Sequence, residues 1–151
     1  MKNKILFPND SVISTRNFEV SQDWEVPILG FFILSPKRKI RSVSEFNDDE
    51  AIEFIMLLRE VRKRMKDVLG IEDVYFFQNE DTEHNFHVWI FPRHEWMERF
   101  GRGINSVKPI IEYAKKEMAK EDIIKEVKEA VKKMKSYMHN FNLSKHPMVS
   151  F

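Results

Sequence analysis

His84-Asn85-Phe86-His87-Val88-Trp89-Ile90-Phe91-Pro92-Arg93 alternates with a period of two. In an extended segment Phe86, Val88 and Ile90 share one face, and Asn85, His87 and Trp89 share the other. Buried strands are ordinarily lined with aliphatic and aromatic groups. This one presents an amide, an imidazole and an indole in a row, then stops at Pro92. That polar row is where chemistry is expected.

The neighbouring segments supply a sheet for it. Val74-Tyr75-Phe76-Phe77-Gln78 reads as a buried strand, and Asn79-Glu80-Asp81-Thr82-Glu83 as a polar turn. The two strands then form an antiparallel hairpin. Further upstream, Gly30-Phe31-Phe32-Ile33-Leu34-Ser35 is a short apolar run that Pro36 ends, the pattern of a central strand. Residues 11–21 read as a hairpin turning at Arg16-Asn17, and Asp23 to Pro27 as a loop. Between the strands a helix is expected. Asn47 or Asp48 caps it, and Gly70 ends it. Ile52, Ile55, Met56, Leu58, Val61, Met65 and Val68 form its apolar stripe. Two readings stand for the basic run Lys37-Arg38-Lys39-Ile40-Arg41: a solvated loop, or a phosphate-attracting rim.

Past Arg93 the character changes. Glu95 to Phe100 reads as a helical turn, broken by Gly101-Arg102-Gly103. Asn105 or Ser106 is placed to cap a helix reaching about Met118, with Pro109 tolerable only near its first turn. A second helix from Asp122 to about Phe141 carries the stripe Ile123, Ile124, Val127, Ala130, Val131, Met134, Tyr137 and Met138. This stripe packs either on the domain or across a dimer. The expected division is 1–97 for the sheet domain, 98–141 for a helical extension of it, and 142–151 for an irregular tail.

Composition narrows the class. A chain of 151 residues suits one α+β domain, and 42% hydrophobic content with thirteen Phe supplies its core. The net charge of +1 gives no reason to expect a nucleic-acid or membrane partner. The basic start is followed by only Ile5-Leu6-Phe7 before Pro8, too short for a signal-peptide core, and no apolar run approaches a membrane span. A cytoplasmic protein is expected. Without Cys there are no disulfides or thiolate metal sites. His84, His87 and His94 are not expected to form a metal set, because alternation puts His84 opposite His87 and no carboxylate completes a tetrahedron.

Pro92-Arg93 and the alternation before it resemble the histidine-triad motif, in which three histidines alternate ahead of two apolar residues and Pro-Arg. Counted back from Pro92, the three places hold Asn85, His87 and Trp89. The resemblance continues upstream. Gly30-Phe31 and Pro36-Lys37-Arg38-Lys39 stand where the family has Gly-His and Pro-Lys-Lys/Arg-His, with both histidines missing. Asp23, thirteen residues before Pro36, matches the family's ribose-binding acid, and Asn79 matches the leading residue of its phosphate loop. That loop is shorter here and has no Gly. The resemblance covers roughly residues 10–95.

The resemblance implies an antiparallel sheet with one long helix on it, a homodimer, and a site for a purine nucleotide or dinucleotide. It makes His87 the nucleophile at an α-phosphate, forming a nucleotidyl-histidine that water resolves, with Asp23 and Asn79 binding substrate. By their own chemistry Asn85 and Trp89 are placed to bind substrate as well, and the residues give no reason to expect a cofactor or metal. A neutral imidazole is chemically suited to this, since its ordinary pKa is about 6.5. Asn85 and Trp89 donate hydrogen bonds but are not acids. General acid help is worth roughly 10² to 10⁴-fold. An acidic phosphate leaving group tolerates its loss and an amine does not, so a dinucleoside polyphosphate is favoured over a phosphoramidate. The alternatives are a non-catalytic nucleotide- or partner-binding module on the same fold, and a structural assembly protein that associates through the C-terminal helices.

Overall fold

In the computed structural model, residues 4–141 are described. The tail expected for 142–151 lies outside them.

Five strands form one antiparallel sheet: β1 (Ser11–Ser14), β2 (Phe18–Gln22), β3 (Phe32–Pro36), β4 (Val74–Phe77) and β5 (Val88–Pro92), in the order β1-β2-β3-β5-β4. β3 is central, as its apolar run implies. β4 is not the fully buried strand expected. It is the sheet's edge, and Phe76 stands half exposed. Its apolar run covers a sheet face without being enclosed by one.

The helix α1 (Asp48–Leu69) is bounded as its punctuation dictates. The Asn47 side chain accepts from the Glu50 amide at 2.8 Å, and the Glu50 carboxylate accepts from the Asn47 amide at 2.9 Å. Gly70, at φ 68°, closes the other end in the left-handed conformation. The stripe that turns inward runs through Leu57, Val61 and Met65. Ile55, included in the expected stripe, is exposed.

The two sheet faces carry different helices. Phe32, Leu34, Phe86, Val88 and Ile90 face α1 and α3 (Glu121–Met138), together with Val131, Met134 and Met138. The α3 stripe therefore packs on the rest of the fold, against α1 and β1. Phe31, Phe91 and Val26 face the opposite way, toward Val107, Ile110 and Ala114 of α2 (Ile104–Glu117). Asn105 and Ser106 are not the caps of α2. Gly103 occupies that place, and the Ser106 hydroxyl donates back to its carbonyl at 2.6 Å. Gly103, at φ 86°, allows the sharp entry that a side chain there would oppose.

Arg93 fixes where α2 begins. It is buried, donates to the Gly101 carbonyl at 2.9 Å and to the Ser106 hydroxyl at 3.3 Å, and lies over the Tyr75 ring. The end of β5 is thus tied to the start of the helix that crosses the polar row.

Candidate active site

His87 stands just before β5, half buried, and its Nδ1 lies 2.8 Å from the carbonyl oxygen of Asn85. A carbonyl only accepts, so Nδ1 carries a proton, and the lone pair of the neutral ring is on Nε2. The tautomer is set by main chain, two residues back.

Two clefts meet at this imidazole. One, of about 430 Å³, is lined by Asp23, Trp24, Glu25, Phe31, Ile33 and Ser35 among others. The second, of about 640 Å³, is lined by Phe77, Asn79, Ile104, Val107, Lys108 and Glu112 among others. Five residues border both: His84, His87, Trp89, Ile111 and Lys115. The Trp89 indole is held on the floor by an edge contact with Phe31 at 5.4 Å and another with Phe77 at 6.4 Å.

The structure brings Asp23, His87 and Trp89 to one cleft, and Asn79, His87 and Trp89 to the other. Asn85 is exposed and borders neither, though its carbonyl holds His87. His84 corrects the sequence reading. Strict alternation puts it opposite His87, yet both rings line the same clefts, 6.3 Å apart between centroids. The reason is local: regular strand starts only at Val88, so residues 84–87 need not keep the pleat. Among the described residues, no three metal-ligating side chains converge.

Asp23 accepts the amides of Glu25 and Val26, both at 3.0 Å and both on Oδ1. Burial raises its carboxyl above the ordinary value, while those two amides and the nearby Lys115 charge pull it down. The basic run borders neither cleft. Arg38 forms an ion pair with Glu50 at 2.8 Å, Lys37 donates to the Thr15 carbonyl and Arg41 to that of Glu80.

No family model matches the chain, and no curated protein matches it. Solved structures share its architecture. Diadenosine triphosphate hydrolase from Plasmodium falciparum superposes with a TM-score of 0.60 at 14% identity, over 87% of this chain and 78% of that one. A hypothetical histidine triad nucleotide-binding protein from Sulfolobus tokodaii gives 0.60 at 16%, over 85% and 84%. The C. elegans NitFhit protein gives 0.53 at 18%, over 71% of this chain and only 27% of NitFhit. The chain has the histidine-triad fold.

On this histidine-triad fold, sequence reasoning missed the α2 contribution. Ile104, Lys108, Ile111 and Lys115 recur at helical spacing and form the row facing the clefts. The spacing was visible, but not which sheet face the row would meet.

His94 is a structural histidine. Its Nε2 lies 2.6 Å from the Leu29 carbonyl, and burial holds its pKa below the ordinary value against that hydrogen bond. The native state therefore resists a proton that the unfolded chain accepts. The stability is fully present above about pH 6.5 and is lost as pH falls through that value toward the lower native one. Asp23 acts with the opposite sign, its share being lost as pH rises through its raised native value. Comparing wild type with His94→Gln isolates the first effect. The variant is expected to show a flatter melting-temperature profile between about pH 7 and pH 5. An acid slope as steep as that of wild type would remove His94 from the explanation.

Proposed function

We propose that this chain is a nucleotide hydrolase or nucleotidyl transferase that cleaves a phosphoanhydride, with a dinucleoside polyphosphate as the preferred substrate type. The observation that carries this reading is the oriented His87: Nδ1 spent on the Asn85 carbonyl, in a ring that borders two clefts. Nε2 attacks the α-phosphorus. A P–N bond forms, and the bridging P–O bond breaks with its electron pair leaving on the departing phosphate. Water then attacks the same phosphorus, the P–N bond breaks, and the imidazole returns. The net products are a nucleoside monophosphate and the remaining nucleotide. The Asn85 carbonyl stabilises the imidazolium character that develops on Nδ1–H.

The Asp23 cleft suits the nucleoside. Asp23 offers a carboxylate oxygen to the ribose hydroxyls, and Trp24, 59% exposed beside it, offers a stacking face to the base. Asn79 and Trp89 are assigned to contacts with the remainder of the substrate, whereas Asn85, which borders neither cleft, acts through its carbonyl on His87. The fold shared with a diadenosine triphosphate hydrolase supports the substrate type. A homodimer of cytoplasmic location, with residues 98–141 belonging to the same domain as 1–97, completes the proposal.

The test is trapping. Wild type mixed with adenine and guanine dinucleotides, with and without Mg²⁺, and quenched at alkaline pH is expected to gain the mass of one nucleotidyl group, a nucleoside monophosphate less one water, on His87. Turnover without such an adduct would reject the covalent step. A non-catalytic binding module is the second reading, favoured by the uncharged Asn85 and Trp89 at the places beside His87. It would be supported by nucleotide binding with neither adduct nor turnover.

A further inference from the structure

The polar row supplies no fixed positive charge: Asn85 and Trp89 flank His87. A phosphoryl group there needs a cation from elsewhere. Of the lysines bordering the clefts among the described residues, Lys108 reaches one and Lys115 reaches both. Lys115 and His87 therefore border the same two clefts. The Lys115 Nζ lies 3.1 Å from a Glu25 carboxylate oxygen, joining α2 to the loop before β3 across the Asp23 cleft. Both side chains are about one-third exposed, at 36% and 33%.

We propose that Lys115 is the phosphate-binding residue of this site, and that Glu25 holds it in the free protein as a stand-in for the substrate's phosphate. This deepens the nucleotide reading above and rests on it. A partly exposed ion pair contributes little net free energy, so exchange of the carboxylate for a phosphate is inexpensive. A phosphate monoester carries more charge and more acceptor oxygens than one carboxylate, so Lys115 prefers it. The exchange has a second consequence. Until Glu25 withdraws, Lys115 is occupied, so a ligand too weakly charged to displace the carboxylate gains nothing from it.

Opposite signs from the two partners make the test specific. Binding of AMP and of adenosine to the full chain is measured by calorimetry, with melting temperatures as the control for folding. Lys115→Met, which keeps the apolar stem, is expected to weaken AMP about tenfold and to leave adenosine unchanged, the loss of one charge-assisted contact. Lys115→Arg is expected to restore most of that loss. Glu25→Gln is expected to tighten AMP about threefold, because the competing carboxylate is gone. The salt dependence of AMP binding is expected to be shallower in Lys115→Met. AMP binding by Lys115→Met equal to wild type overturns the inference and leaves the nucleotide reading standing. So does an equal loss of adenosine, or weaker AMP binding by Glu25→Gln. Failure of wild type to bind either ligand removes the nucleotide reading, and the inference falls with it.

Discussion

Replacing His87 with alanine is expected to lower turnover of diadenosine polyphosphates by about 10⁴-fold or more, the scale on which loss of a nucleophile acts. The loss falls on kcat. AMP binding is expected to stay within a few-fold of wild type, because Asp23, Trp24 and Lys115 are carried by other elements. Stability is expected to change by no more than about 0.5 kcal/mol, since His87 is half buried just before β5 and its ring hydrogen-bonds to main chain. Asn85→Ala separates two roles of the neighbouring residue. The carbonyl that sets the His87 tautomer belongs to the backbone and survives the substitution. The variant is therefore expected to retain activity within about tenfold. Steady-state kinetics on the two variants checks both statements. A His87→Ala enzyme within tenfold of wild type would sink the nucleophile assignment, whatever the fold.

Legibility in the sequence followed how locally each feature is determined. The ends of α1 were readable because a capping box and a left-handed Gly are satisfied within a few residues of themselves. The pairing of β4 with β5 was readable because two apolar runs flank a polar stretch, although the connection between the strands spans residues 78–87 and is longer than the turn expected. The central place of β3 agreed with an apolar run with no polar alternation, a pattern common in strands covered on both faces. The site was legible only in part. His87, Asp23 and Trp89 lie on or beside regular strands, where register carries side-chain direction. His84 does not, because regular strand begins only at Val88, four residues on, and over that distance parity need not mean face. Lys115 was hidden for a different reason. Its helical row is plain in the sequence, but the choice of sheet face is made by the Gly103 entry and the Arg93 anchor, many residues away. Edge against interior for β4 is also a property of the whole sheet, so its five-residue pattern could not distinguish them.

Phe31→Ala is expected to cost about 3–5 kcal/mol, the range for deleting a phenyl ring from a packed interior. Phe31 is fully buried, and its ring meets Trp89 at 5.4 Å and Phe91 at 5.2 Å, both edge-on. Those contacts add aromatic geometry to the buried area. With total stabilities of about 5–15 kcal/mol typical of domains, such a loss is a large share, and the melting temperature is expected to drop by about 10 °C. The site should suffer with it. Phe31 lines the Asp23 cleft, and its loss leaves the Trp89 indole without the edge contact that holds it on the floor. AMP binding measured well below the melting temperature is thus expected to weaken even where the variant is folded. Phe31→Leu keeps most of the volume and is expected to recover more than half of the stability, but less of the binding, because a branched aliphatic group fills space without presenting a ring face. Thermal melts of the two variants, read beside AMP calorimetry, distinguish packing from ring geometry. If Phe31→Ala melts with wild type, the opposite sheet face is not a closed core, and the rigid floor on which the His87 site depends is lost with it.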